Sequence, residues 1–277
     1  MPPEHVRLAA ARVAFEALGT TCEVFAVGAP AQAVDWTTSW VVAMHARLSR
    51  FDPASEVSRF NAAAGTGWIP VSAVLEALLR EALSAYRLSG GLVHAGVLPA
   101  LLAAGYTRPL RDGTTEAALA EPAPLAPLPD LLQVESGRAR LAPGAGIDLG
   151  GIAKGWLADR LCRLLGTNCL VNLGGDLYAS GGGPDGEGWP VGFAGQTLLL
   201  RDAGAATSSV AYRRWGEGLH HLIDPRTGLP LAADLEHVSV VAADAFTAEV
   251  VAKTALMMGS AAAPAYLSVQ ALAWAVA

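Results

Sequence analysis

GIDLGGIAKGWLADR, residues 146–160, combines four glycines with one lysine, two aspartates and apolar residues at helical spacing. Gly150 and Gly151 precede a predicted helix, AKGWLADRL, so the backbone N–H groups at its start can approach an anion without a Cβ in the way. Lys154 lies in the first turn, where a cation opposes the helix dipole unless it meets a phosphate or a carboxylate. Because the spacing fits neither a P-loop nor a GxGxxG fingerprint, this fragment alone slightly favours a tight strand-to-helix turn with a solvated lysine.

Composition limits the classes of protein to consider. The chain has 277 residues, of which 52% are apolar, enough for one domain over residues 1–277 or two intimately packed subdomains. A net charge of −6 argues against nucleic acid or an anionic membrane as partner. The three cysteines have no CxxC spacing and are expected to be core thiols in a reducing compartment. The N-terminus offers no convincing secretory signal, so we expect a cytoplasmic protein.

Residues 254–277 carry no charge and are nominally long enough to cross a bilayer. Gly259, Ser260, Pro264, Ser268 and Gln270 interrupt this segment. We therefore predict the end of a helix, a turn and a buried terminal strand, with a membrane span as the minor alternative.

The order of predicted elements favours an α+β fold with mixed sheets flanked by helices. Two strands are expected around the Gly19-Thr20 turn, followed by helices over residues 31–48 and 71–91, the latter stopped by Gly90 and Gly91. Residues 107–143 show little long-range pattern, and EPAPLAPLPD within them, which holds four prolines, is expected to form a surface loop or an extended crossing. Later segments predict strands in CLVNLGGDLYASGG, VGFAG and HVSVVAA, and a final helix in AFTAEVVAKTALMMG.

Three further segments contain polar residues whose interpretation stays open at this point. NLGGDL, which includes Asp176, is typical of a bulge or corner in a sheet. In HHLIDPRTG, the turn after His221 would hold His220 and His221 at a strand end, either as proton acceptors or as half-buried histidines bonded to the backbone. Glu249 and Lys253 are spaced i,i+4 in the favourable order, which by itself predicts an ordinary surface salt bridge.

Seven segments taken in order resemble the ApbE family, the flavin transferases that move FMN from FAD onto a protein hydroxyl. They are ALGTTCEV, SRFDPASEVSRFN, SGGLVHAGVLPALLAAGY, GIDLGGIAKGWLADR, NLGGDL, HHLIDPRTG and AEVVAKTALMMG, and they run through most of the chain. The resemblance implies the T-fold-like α+β architecture of that family. It also implies FAD as ligand, a divalent metal such as Mg²⁺, and an acceptor protein that carries a target Ser or Thr.

The resemblance also assigns site residues by position. His221 is the candidate base that activates the acceptor hydroxyl, and Gly151, Glu249 and Lys253 occupy the metal positions. The FAD-contacting positions are Leu18, Phe51, Leu92, Val93, His94, Asp148, Lys154 and Ile223. The chemistry implied is phosphoryl transfer, in which a metal neutralises the pyrophosphate, the acceptor oxygen attacks the FMN phosphorus and AMP leaves.

Two departures from the family pattern fall on the cofactor and the metal. Glu249 and Lys253 stand where the family usually presents an Asp and a Thr to magnesium. A glutamate can bind a hard cation, but an ammonium would repel the ion or replace its charge. Asp244 and Thr247 lie upstream but have a poorer spacing for that task. LVHAG, residues 92–96, replaces A-F-D-P-T, which removes an acidic flavin contact and leaves His94 in its place.

These departures keep alternatives to the transferase open. One is an FAD-binding protein without transferase activity, either a flavin carrier or a silent relative. Another is metal-dependent hydrolysis of FAD to FMN and AMP. A Rossmann dehydrogenase is rejected, since GGDLYASGGG has the wrong spacing and no helix follows it. The placement of Glu249 and Lys253 further suggests that Lys253 partly replaces the positive charge of the metal beside the pyrophosphate.

Overall fold

A computed structural model describes residues 10–166 and 168–277. The helices are α1 (Ala31–Leu48), α2 (Glu56–Ala62), α3 (Ala73–Leu88), α4 (Leu98–Ala103), α5 (Leu128–Leu131), α6 (Ala153–Leu165), α7 (Ala245–Met258) and α8 (Ala263–Gln270), with 3₁₀ turns at Ala95–Val97 and Leu110–Asp112. The strands are β1 (Ala10–Ala17), β2 (Thr20–Val27), β3 (Ile69–Pro70), β4 (Leu132–Glu135), β5 (Arg138–Leu141), β6 (Cys169–Leu173), β7 (Leu177–Ser180), β8 (Trp189–Phe193), β9 (Gln196–Leu200), β10 (Ala203–Ser209), β11 (Arg214–Trp215), β12 (Leu219–His220), β13 (Ile223–Asp224), β14 (Leu229–Pro230), β15 (His237–Ala242) and β16 (Ala273–Val276).

A seven-stranded sheet in the order β1-β2-β6-β7-β10-β15-β16 organises the fold, and every neighbouring pair in it is antiparallel. Apolar residues alternate along its strands: Cys22, Val24 and Ala26 of β2 are fully buried. They belong to a core that joins the sheet to α1, α3 and α6. A second core packs α7 and α8 against β10 and β15. This mixture of antiparallel sheet and helices confirms the predicted α+β class.

Several predicted elements are confirmed with close boundaries. The hairpin β1–β2 turns at Leu18 and Gly19, both of which have positive φ. The helix expected over residues 31–48 is α1, and the helix ended by Gly90 and Gly91 is α3, whose N-cap Ser72 accepts a hydrogen bond from the Leu75 N–H. The three cysteines are free and buried, as expected of core thiols, with the Sγ atoms of Cys162 and Cys169 2.6 Å apart.

Other predictions need correction. CLVNLGGDLYASGG is not one strand but two, β6 and β7, because Gly174 and Gly175 both adopt positive φ and turn the chain between them. The predicted strand VGFAG lies mostly in β8, which begins two residues earlier at Trp189 and ends before a turn at Ala194 and Gly195.

The C-terminal segment also differs from its prediction. An unpredicted helix, α8, follows α7, and the terminal strand β16 forms the edge of the sheet, where it is half-buried with Trp274 36% exposed. Pro264 lies in the first turn of α8, where proline is tolerated, so it does not break the helix. Within residues 10–166 and 168–277, none of the helices combines the length and the hydropathy that a bilayer span requires.

Candidate active site

A cleft of about 980 Å³ opens between the β1–β2 turn, the segment after α1, the start of α6 and one face of α7. Its volume lies at the upper end of the range of roughly 300–1,000 Å³ typical of ligand pockets, which suits a large ligand such as a dinucleotide. Eleven of the twelve predicted site residues line it: Leu18, Phe51, Val93, His94, Asp148, Gly151, Lys154, His221, Ile223, Glu249 and Lys253. The exception is Leu92, which packs against the core between α7 and α8.

One side of the cleft, which we call the aromatic wall, consists of Arg50, Phe51, Tyr106 and Asp148. The Arg50 guanidinium lies over both rings, 4.1 Å from the centroid of Phe51 and 4.5 Å from that of Tyr106. Its Nε donates to Asp148 Oδ2 at 2.5 Å and its Nη1 donates to the Tyr106 carbonyl at 2.9 Å. The positive and negative charges of this wall therefore neutralise each other, leaving a mostly aromatic surface whose two rings are tilted by 57° to one another.

The geometry of the aromatic wall follows from local sequence. The other carboxylate oxygen of Asp148 accepts the Gly150 N–H at 2.7 Å, so the aspartate in the glycine-rich stretch orders its own turn. Trp215 packs on Tyr106 with ring centroids 5.0 Å apart, and its indole N–H donates to the Ala104 carbonyl. Such contacts fix the ring positions before a ligand arrives.

A second part of the lining, which we call the charged wall, consists of Lys154, Asp176, Glu249 and Lys253. Lys154 forms an ion pair with Asp176, and its Nζ lies 3.8 Å from Glu249 Oε1. Lys253 Nζ lies 3.7 Å from the same oxygen and donates a hydrogen bond to the Gly151 carbonyl at 2.6 Å. These contacts tie the start of α6, the β6–β7 turn and the middle of α7 together.

Two predictions from the sequence are wrong: a solvated Lys154, and a surface salt bridge between Glu249 and Lys253. Lys154 is not solvated, since its side chain is only 16% exposed, and Glu249 and Lys253 do not form a surface salt bridge, since their side chains are 3% and 11% exposed. The surrounding chain buries all three because α7 is covered by α6 on one side and by the sheet on another. Burial lowers the pKa of Lys154 to about 8, against the opposing effect of Glu249. Burial also lowers the pKa of Lys253.

Close packing of α6 on α7 positions the charged wall. A Cβ at Gly155 would lie 2.5 Å from the Ala245 carbonyl oxygen, so only glycine allows the approach, and the Gly155 N–H donates to Glu249 Oε2 at 3.0 Å. Asp159 accepts the N–H groups of Ala245 and Phe246 at the start of α7, at 2.8 and 3.0 Å. Burial raises the pKa of this carboxyl to about 6 although both hydrogen bonds oppose the rise.

The adjacent histidines have different environments. His220 Nδ1 accepts the Leu222 N–H at 3.2 Å, and its Nε2–H donates to the Leu231 carbonyl at 3.0 Å, which is the backbone-bonded arrangement considered above. His221 faces the cleft, and its buried Nδ1 has no hydrogen-bond partner among the described residues. Burial, followed by the charges of Arg213 and Lys253, holds the pKa of His221 well below its ordinary value. The uncharged imidazole is therefore the favoured form of His221.

His94 and the alternative metal ligands have structural roles. His94 Nδ1 accepts the Gly96 N–H and its Nε2–H donates to the Ala126 carbonyl, both at 3.0 Å, so the ring holds a 3₁₀ turn at the cleft wall. Asp244 caps α7 by accepting the Thr247 N–H at 2.7 Å. Neither Asp244 nor Thr247 lines the cleft, so the upstream pair does not supply ligands to this site.

Among the lining residues that sequence reasoning did not assign to the site are Arg50, Tyr106, Asp176 and Arg213. The first three lie in segments already singled out, SRFDP, LLAAGY and NLGGDL, so their positions beside matched residues were an available signal. Arg213 lies in no such motif. Its φ of 52°, like the φ of 55° at Leu18, is an unfavourable left-handed conformation of the kind that clusters at functional sites.

The residues around Gly151 do not fit a divalent metal ion. In the part of the chain that the structure describes, no three His, Cys, Asp or Glu side chains are grouped closely enough to hold one. The Gly151 carbonyl, one of the predicted metal contacts, accepts the Lys253 ammonium instead. Hard cations such as Mg²⁺ require several oxygen ligands at about 2.0–2.1 Å, and an ammonium in that place excludes them.

Comparison with proteins of known sequence finds named relatives. The FAD:protein FMN transferase of Treponema pallidum is 32% identical over 244 residues, which is 74% of this chain and 65% of that protein. The FAD:protein FMN transferase of Haemophilus influenzae is 27% identical over 230 residues, 74% of this chain and 66% of that protein. The matched region therefore spans slightly less than two thirds of the length of these relatives.

Solved structures share the fold. The ApbE protein from Thermotoga maritima superposes with a TM-score of 0.79 at 23% identity, covering 92% of this chain and 88% of that one. The apo flavinyl transferase ApbE of Pseudomonas stutzeri gives a TM-score of 0.77 at 21% identity, covering 94% of this chain and 89% of that one. The family model described as the ApbE family matches residues 18–275. Since that match covers nearly the whole sequence, the chain belongs to the ApbE family.

Proposed function

We propose that the chain binds FAD in the cleft and transfers the FMN portion to a Ser or Thr hydroxyl of an acceptor protein, with AMP as the leaving group. Two relatives bear the name FAD:protein FMN transferase. The observation that carries the proposal for this chain is His221, a residue that lines the cleft, has an unpartnered buried Nδ1, and shares the cleft with two buried ammonium groups.

The two walls suit different parts of FAD. The isoalloxazine ring is planar and aromatic, so the aromatic wall offers it a contact with Phe51, whose ring is tilted by 57° to that of the buried Tyr106. The pyrophosphate is anionic, so the charged wall offers it the ammonium groups of Lys154 and Lys253. Leu18, Val93 and Ile223 supply apolar contacts around the cleft.

The proposed reaction is one displacement at phosphorus. The acceptor hydroxyl oxygen forms a new bond to the FMN phosphorus, the bond from that phosphorus to the bridging oxygen breaks, and AMP departs with that oxygen. The His221 imidazole accepts the proton that the hydroxyl loses, as a neutral general base. Lys154 and Lys253 stabilise the negative charge on the phosphoryl oxygens and on the leaving AMP.

The test is a chromatographic assay for AMP after incubation of the protein with FAD, with and without a panel of Ser- and Thr-containing peptides. Covalently bound flavin is followed in parallel by its fluorescence on the separated peptides. AMP together with a flavinylated peptide is the expected result. AMP with free FMN in place of flavinylated peptide would instead establish a hydrolase, and FAD binding without AMP would establish a carrier.

A further inference from the structure

The sequence contains only two lysines, against 17 arginines, and both lysines belong to the charged wall. Lysine is among the residues least often buried, yet Lys154 and Lys253 are 16% and 11% exposed. Their Nζ atoms lie 3.8 and 3.7 Å from a single oxygen, Glu249 Oε1. Asp176 pairs with Lys154, so two carboxylates match the two ammonium groups, and both ammonium groups line the cleft.

A third cation brings the positive charge into excess. Arg213 lines the same cleft and forms no hydrogen bond or ion pair within the described ranges. Its charge opposes the protonation of both lysines, whereas the Asp148 carboxylate favours the protonation of Lys253. Because Asp148 is paired with Arg50, and Asp176 and Glu249 match the two lysines, Arg213 is the cation left over before a ligand binds. An anionic ligand is the natural complement of such a site.

Several oxygen atoms of the charged wall already have partners. The Gly151 carbonyl accepts Lys253, Glu249 Oε2 accepts the Gly155 N–H, and Asp176 pairs with Lys154. A divalent ion bound through these oxygens would displace those partners, and at Glu249 Oε1 it would lie beside two ammonium groups that repel it. The positive charge at this position is supplied by the chain itself.

We propose that the Lys253 ammonium stands in place of a divalent cation, so that this cleft binds the pyrophosphate of its dinucleotide without metal. The choice of FAD as dinucleotide rests on the proposed function. Held by the Gly151 carbonyl, Lys253 Nζ is fixed where it can reach the ligand without losing Glu249 as its neighbour. Lys154 acts beside it from α6.

The test is a titration of FAD into the purified protein in EDTA and in magnesium, followed by flavin fluorescence. The wild-type protein is expected to bind FAD equally well in both media. Lys253→Thr is expected to lose about tenfold or more in affinity in EDTA, as for removal of a charged hydrogen-bond donor, and to recover in magnesium because the hydroxyl and Glu249 then offer oxygen ligands. Lys253→Met, which offers no oxygen, is the matched control and should bind weakly in both media.

A second measurement does not depend on the variants. Mn²⁺ added to the wild-type protein with FAD is followed by electron paramagnetic resonance, and no protein-dependent loss of the free-ion signal beyond that of FAD alone is expected. Mn²⁺ binding at the site, FAD binding that requires magnesium, or no FAD binding in either medium would overturn the proposal. Metal-free FAD binding without AMP release would support the replacement of the metal by Lys253 and would refute the transferase activity. AMP release that requires magnesium would refute the replacement of the metal and would support the transferase activity.

Discussion

The two walls of the cleft both contain cations and carboxylates, but they differ in the surroundings of those charges. In the aromatic wall, Arg50 forms an ion pair with Asp148 and lies against the Phe51 ring, so its positive charge is neutralised within the protein. In the charged wall, Lys154 and Lys253 are matched by Asp176 and Glu249, and Arg213 lines the same cleft without an ion pair among the described residues, so the positive charge of Arg213 remains available. The difference shows how one cleft can hold a flat, weakly charged ring at one side and an anionic group at the other.

This contrast also explains the state of His221. Cations of the charged wall and Arg213 disfavour a protonated imidazole, and burial does so more strongly. A histidine placed beside the aromatic wall would meet a balanced pair of charges instead. The charged wall is therefore expected to act both in binding the ligand and in keeping the base neutral.

The largest effect is expected from His221→Asn, which removes the proposed base without changing the aromatic wall. Transfer, measured as AMP release with an acceptor peptide, should fall by roughly 10²–10⁴, as is typical for loss of a general base. FAD affinity should stay near the wild-type value because the variant keeps both lysines.

His220→Asn is the matched control for that variant. Because His220 bonds only to the backbone of Leu222 and Leu231, its loss should lower the temperature of unfolding and leave the rate per folded molecule unchanged. Equal rate losses in the two variants would show that His221 acts through the fold and not as a base.

The second-largest effect is expected from disturbing the packing of α6 on α7, which positions the charged wall. Gly155→Ala places a Cβ against the Ala245 carbonyl and should separate α6 from α7, at a cost of about 1–3 kcal/mol in the free energy of unfolding. Gly192→Ala, where a Cβ meets no atom within 4 Å, is the control and should change stability little. Denaturant unfolding of both variants measures the difference, and an unchanged Gly155→Ala would contradict the close helix packing.

A pH series distinguishes the walls without mutation. Lys154 has its pKa lowered to about 8, and it is surrounded by Asp176, Glu249, Lys253 and Arg213, so its charge is lost as pH rises through 8. FAD affinity should be constant from pH 6 to 7 and should fall above pH 8, by up to about tenfold per pH unit. No alkaline fall, measured by flavin fluorescence, would mean that Lys154 does not contact the ligand.

The smallest effect is expected at the aromatic wall. Phe51→Leu keeps an apolar side chain but removes one ring from the pair with Tyr106, so FAD should bind more weakly by about 0.5–1.5 kcal/mol. The control is Phe193→Leu, since Phe193 lies in β8, outside this cleft. If the two variants bind FAD equally well, the ring of FAD does not lie on Phe51.

Much of the fold was predictable because local signals agree with it. The boundaries of α1 and the hairpin β1–β2 follow from apolar spacing and a glycine turn. The helix α8 was missed because Pro264 was interpreted as a breaker, although it sits where a helix accepts proline.

The site residues, like the elements of the fold, were predicted only in part. Motif order located eleven lining residues, but not Leu92, whose side chain turns toward the core. Burial decides the state of Lys154 and Lys253, and burial depends on how α6 meets α7, which no local pattern encodes. Arg213 could not be predicted from the sequence for the same reason, since the fold brings it to the cleft.

The most direct test of the two-wall account is a crystal structure of the protein with FAD, grown in EDTA. The account predicts the isoalloxazine ring against Phe51 and Tyr106, and the pyrophosphate within hydrogen-bonding distance of Lys154 and Lys253 with no metal between them. FAD bound with its pyrophosphate at the aromatic wall, or outside the cleft, would contradict it.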